Sequence, residues 1–140
     1  MEDNYKYRLS NGKAEMIQNI IDSLPYPVAI FDRNLTVSII NKAFRNAANI
    51  CMDPLSGSVR INRGRIDDPQ LAASIMKVFR GDTVFSEAVK TPFSMFSGVE
   101  QKEVLPKDCV WRVEVSPVPA ENKKITHGII VILQMKQYDR

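Results

Sequence analysis

The chain has little of what a catalytic centre requires. Its 140 residues hold one histidine, His127, and two cysteines, Cys51 and Cys109. The cysteines stand far apart, in no metal-type or redox-type spacing. Each reads as a small buried hydrophobe, Cys109 at the head of a core strand and Cys51 just after a helix. There is no glycine-rich phosphate loop, no His-Glu metal pair and no nucleophile beside a base. The carboxylate pairs, Asp67 with Asp68 and Glu100 with Glu103, fall in loops or at a helix cap, where solvation or capping accounts for them. The chain is therefore expected not to be an enzyme.

Charge of either sign is also modest. The net charge of +3 is too small to argue for a nucleic-acid partner. The one basic cluster, Arg60, Arg63 and Arg65, has no aromatic residue interleaved for base stacking and reads as a solvated loop. No apolar run approaches the roughly 18 residues that span a bilayer. The opening Met-Glu-Asp-Asn-Tyr-Lys-Tyr-Arg lacks the apolar core of a signal peptide. The expectation is a cytoplasmic segment that makes no membrane contact. At 44% apolar and 25% charged residues the chain has an ordinary globular balance, and its length suits one domain with a real core.

What is present is alternation and helical periodicity. In residues 109–118, Trp111, Val113 and Val115 point one way while Arg112, Glu114 and Ser116 point the other. Residues 125–135 are apolar on both parities and predict a strand covered on both faces. A short polar connection joins the two into an antiparallel hairpin. Upstream, Ile17, Ile20, Ile21 and Leu24 follow i, i+3, i+4, i+7 and predict an amphipathic helix over 13–24. Residues 27–32 and 35–40 read as strands around an Asp32-Arg33-Asn34 turn. Asn41 then caps a helix over 42–50. Asp68-Pro69 starts a helix that runs to Gly81, and residues 84–91 read as a strand. Residues 92–108 read as a long connection anchored by Phe93 and Phe96. The fold class is α+β, a five-stranded antiparallel sheet with helices on one face and an N-terminal amphipathic helix. Residues 1–12 are expected to be a flexible segment, 13–136 the single domain and 137–140 a tail.

Several segments together resemble a PAS domain. Leu24-Pro25-Tyr26-Pro27-Val28-Ala29-Ile30-Phe31-Asp32-Arg33-Asn34 is similar to the family's first strand and turn. Ile39-Ile40-Asn41-Lys42-Ala43-Phe44 resembles its strand-to-helix junction. Trp111 to Val118 and Gly128 to Leu133 resemble its last two strands. The resemblance covers about residues 13–134. Gln134-Met135-Lys136-Gln137 replaces the Asp-containing exit motif common in the family, which bears on how any downstream domain connects. The resemblance implies a sensory or signal-transduction module. Such a module regulates an attached or separate output domain, typically a histidine kinase, a cyclic-dinucleotide enzyme or a transcription regulator. It does so through small-ligand binding, dimerisation or both.

By alternation and by this resemblance, Ala29, Phe31, Ile39, Trp111, Val113, Val115, Ile130 and Ile132 should face the concave side of the sheet, with Phe44, Ile75 and Phe79 closing over it. Two readings of this set stay open: a filled core, because Phe31 and Trp111 are bulky, and a pocket for an unidentified apolar small molecule such as a fatty acid or aromatic metabolite. Haem-binding relatives carry an axial histidine on the long helix, and residues 69–80 have none. Photoactive flavin relatives carry an Asn-Cys-Arg motif, whereas Cys51 sits in Asn-Ile-Cys-Met-Asp. No cofactor or metal is expected. Ile17, Ile20, Ile21 and Leu24, with the outward set Ile129, Val131 and Leu133, form a candidate homodimer interface. Packing of the helix on its own sheet is the competing arrangement. A purely structural dimerisation domain with a filled core is the alternative function.

Overall fold

The computed structural model describes residue 12 and residues 15–50, 59–101, 109–119 and 124–135. Cys51, the expected tail and, apart from Gly12, the expected flexible N-terminal segment lie outside the described residues. Elements follow in the order α1 (15–22), β1 (Val28–Asp32), β2 (Val37–Ile40), α2 (Lys42–Ala47), β3 (Ala48–Ile50), α3 (Pro69–Ser74), β4 (Val84–Val89), β5 (Val99–Gln101), β6 (Trp111–Val118) and β7 (His127–Gln134). Five strands form one antiparallel sheet in the order β2-β1-β7-β6-β4, and β3 pairs with β5 in a separate two-stranded ladder.

The closing hairpin is as expected. Trp111, Val113 and Val115 are buried on one face of β6, and β7 has apolar residues on both. The sheet is a single layer with a core on each side. On the concave face, Ala29, Phe31, Val113, Val115, Ile130 and Ile132 meet α2, α3 and the aromatic residues of the 92–96 segment. On the convex face, Val28 and Ile30 meet Ile21 of α1, flanked by Ile17, Leu24, Ile39, Ile129 and Val131. Adjacent residues of one strand thus belong to different cores, as the two-residue period requires.

Ile39 corrects the expected facing. It pairs with Ile30 and packs on the convex core, while Val37 and Ile40 fill the concave one. The cause is a bulge. Ile30 pairs with Ile39 and Phe31 with Val37, so Ser38 is the extra residue and the parity of β2 inverts across it. A second irregularity, between Ser86 and Val89 of β4, lets both of those residues turn inward.

Three elements also differ from expectation in extent or geometry. The helix after Asn41 ends at Ala47 because Ala48–Ile50 pair with Val99–Gln101. Local periodicity carries no trace of a partner some fifty residues away. That pairing also places a strand inside the 92–108 connection, preceded by a 3-10 turn at Pro92–Met95. Phe93 and Phe96 anchor it, both fully buried. The helix from Pro69 tightens to 3-10 geometry over Ile75–Arg80, which lines Ile75 and Val78 up on one side. Gly81 ends it in the left-handed region, at φ 100°.

Asp68 caps α3 by accepting from Gln70 N at 2.9 Å, and it also accepts from Ser86 Oγ. Folding holds the Asp68 carboxyl below its ordinary 3.8, chiefly through the Ser86 hydroxyl. A carboxyl lowered on folding stabilises above its ordinary value, and that contribution is lost as the pH falls through the lower folded value. Ser86→Ala is expected to destabilise at neutral pH, and the gap from wild type should narrow as urea titrations move below about pH 4. A gap that stays constant with pH would separate the Ser86 effect from the carboxylate.

Candidate functional site

The concave core is built from rings. Phe31 meets Phe79 edge to face, with centroids 5.8 Å apart. Phe44 of α2 meets Phe93 and Phe96, both at 5.1 Å, and Phe93 meets Trp111 at 6.3 Å. Such pairs add specific geometry to apolar burial. The structure gathers Ala29, Phe31, Phe44, Ile75, Phe79, Trp111, Val113, Val115, Ile130 and Ile132 into this one cluster. Ile39 alone of the expected set lies elsewhere. Met95, Val59 and Ile61 join the cluster without having been singled out from sequence. They sit beside turns or bridges that period counting passes over. Gly128 is where Phe31 crosses β7: a Cβ there would lie 2.5 Å from Phe31 Cζ.

Between the start of β1, α2 and the ends of β6 and β7 lies an open groove of about 520 Å3. Pro25, Tyr26 and Pro27 form one wall, Ala43, Asn46 and Ala47 another, and Trp111, Ile132, Leu133 and Gln134 the sheet side. Trp111 and Ile132 belong at once to the groove and to the concave core. Trp111 is 9% exposed, and its indole Nε1 is buried without a hydrogen-bond partner among the described residues. Gln134 stands opposite Trp111 across the ladder, and its Nε2 donates to Cys109 Sγ at 3.2 Å.

Asn41, expected only as a helix cap, joins both sides of the sheet. Its Oδ1 accepts from Phe44 N at 3.0 Å, capping α2, and from Val28 N at 2.9 Å. Its Nδ2 donates to Ile21 O and to Tyr26 O, each at 2.8 Å. One buried amide therefore ties the end of α1 and the start of β1 to the helix that closes the concave core. Asp22 and Gln18 reinforce the link, Asp22 Oδ1 accepting from Lys42 N at 2.8 Å and Gln18 Nε2 donating to Ile40 O at 2.9 Å.

Of the candidate interface residues, Ile17, Ile21, Leu24, Ile129 and Val131 pack together between α1 and its own sheet. Leu133 lines the groove. Ile20 points outward, 57% exposed, near Met16 at 61%. In the basic loop, Arg60 donates to Asn34 O and Arg63 to Ala72 O, so two of its three guanidinium groups brace backbone. His127 sits beside Thr126 at the start of β7, with Thr126 Oγ1 2.9 Å from its Nδ1. Among the described residues no three His, Cys, Asp or Glu side chains are grouped to hold a metal ion. None of the described helices is long and apolar enough to cross a membrane.

No protein-family model matches the chain, and no curated protein matches it. Solved structures do. The chain is similar to the PAS domain of Bordetella pertussis BvgS, at 12% identity over 89% of this chain and 88% of that one, with a TM-score of 0.53. It is also similar to a phage VqmA in complex with DPO, at 12% identity and a TM-score of 0.53, over 89% of this chain and 54% of that one. These likenesses, each over 89% of the chain, show that it has the PAS fold.

Proposed function

We propose that this domain is a sensory and signal-transduction module. It takes a small, mainly apolar molecule at the concave core and passes the change to α1, and so to an attached or separate output domain. A histidine kinase, a cyclic-dinucleotide enzyme or a transcription regulator would be such an output. The domain itself performs no catalysis. The observation that carries this reading is the sharing of β1 and β7 between two cores. Ala29, Phe31, Ile130 and Ile132 face the concave side, and Val28, Ile30, Ile129 and Val131, their immediate neighbours, face α1. Packed interiors transmit displacement rather than absorb it. A shift of concave side chains by a ligand therefore moves the seat of α1, and Asn41 couples the same two regions directly. The complex of VqmA with DPO supports the ligand half of the reading.

Native mass spectrometry of the purified protein, set against its denatured mass, tests this. A small-molecule adduct lost on denaturation is the expected result. An adduct-free mass that stays unchanged after exposure to a cell extract would count against a ligand. The second reading, a dimerising module with a filled core, is favoured by the four edge-to-face ring contacts and by the outward Met16 and Ile20. Dimerisation is compatible with both readings, and α1 is the surface we assign to it. Because Ile20 is outside the intramolecular core, Ile20→Asp is expected to convert a homodimer to monomer in light scattering. The unfolding midpoint measured at low concentration should change little, as for exposed substitutions generally. A dimer that survives the substitution would place the interface elsewhere.

A further inference from the structure

Among the described residues, the indole nitrogen of Trp111 is the one buried side-chain polar atom without a hydrogen-bond partner. Nearly all buried N–H groups in folded proteins are paired with protein or with water, and an indole nitrogen only donates. The unpaired hydrogen therefore calls for an acceptor. Its surroundings say what kind. The same residue lines the groove of about 520 Å3, a volume within the usual range for small-molecule sites. Gln134, its cross-strand partner, rests its amide nitrogen on the Cys109 sulfur, a weak acceptor that a better one displaces. Among the described residues that line the groove there is no lysine, arginine, aspartate or glutamate. A charged ligand would meet no counter-charge among these residues. We infer that Trp111 and Gln134, at the junction of groove and concave core, form the polar end of a site for a neutral, mainly apolar small molecule bearing a carbonyl-type oxygen. That oxygen takes the Trp111 hydrogen. The inference rests on the sensory reading above and specifies its ligand class.

Trp111 is the chain's single tryptophan, so proton–nitrogen correlation spectra of the labelled full chain contain one indole signal. Three probes separate the contributions: acetophenone supplies a neutral carbonyl, ethylbenzene the same apolar body without an acceptor, and benzoate a charged one. Acetophenone is expected to move the indole resonance downfield, saturably, and to bind about tenfold more tightly than ethylbenzene. Benzoate is expected to bind more weakly than either. Trp111→Phe keeps a ring and removes the donor. It should weaken acetophenone about tenfold, read by ligand-observed spectra, and leave ethylbenzene unchanged. Equal affinities for acetophenone and ethylbenzene with an unmoved indole signal would overturn the inference while leaving the sensory reading in place. So would benzoate binding as tightly as acetophenone, or an indole proton held by a trapped water that acetophenone does not displace. Failure of all three probes to bind overturns the inference. It overturns the sensory reading too only if the native mass is also free of adduct.

Discussion

Asn41→Ala is expected to lower the unfolding free energy by about 3–5 kcal/mol, with a fall in melting temperature of roughly 10 °C or more. The amide takes part in four hydrogen bonds: from Phe44 N and Val28 N, and to Ile21 O and Tyr26 O. Loss of the α2 cap alone costs about 1 kcal/mol. The larger share comes from Val28 N, which is buried and has no water to turn to, at about 1–3 kcal/mol. The two carbonyls add the rest. Asn41→Asp keeps both accepted bonds and loses both donated ones, so it separates the cap from the tie to α1. Aspartate should preserve α2 and loosen α1, visible as faster amide exchange over residues 15–22. A loss under 1 kcal/mol for Asn41→Ala, measured by urea titration, would show that Asn41 does not hold these elements together.

Gly128→Ala is expected to be nearly as damaging, at about 2–4 kcal/mol, although it adds one methyl group. That carbon would lie 2.5 Å from Phe31 Cζ, 2.8 Å from Phe31 Cε1 and 3.2 Å from Val78 Cγ2. Phe31 has little freedom to retreat, since it is fully buried and held edge-on by Phe79. The clash therefore wins over the small entropic gain of replacing a glycine, which is below about 1 kcal/mol. Shortening the opposing side chain supplies the control. In the cycle with Phe31→Leu, Gly128→Ala should cost at least about 1 kcal/mol less than it does alone. Strict additivity in that cycle would mean the ring does not lie where the structure places it.

Trp111, Val113 and Val115 were legible in the sequence because β6 alternates without interruption. The helix stripe of Ile17, Ile21 and Leu24 was legible for the same reason at helical period. Ile39 was not, because one extra residue in β2 inverts the parity and a bulge leaves no mark in hydropathy. Nor were β3 and β5, three residues each, whose strand character exists only through their mutual pairing. Asn41 was readable as a cap from its place before Lys42. Its other three bonds reach residues made neighbours by the fold. The site shows the same division. Its apolar wall follows from alternation, whereas the unpaired indole of Trp111 depends on what surrounds one atom.

The proposed function requires the concave core and α1 to be coupled through one sheet. The most direct measurement is amide hydrogen exchange over residues 15–22 with and without acetophenone, at concentrations where the Trp111 indole signal has moved. Binding is expected to change α1 protection, and Asn41→Asp is expected to lose that response. An indole signal that moves to saturation while exchange in α1 stays the same would contradict the coupling.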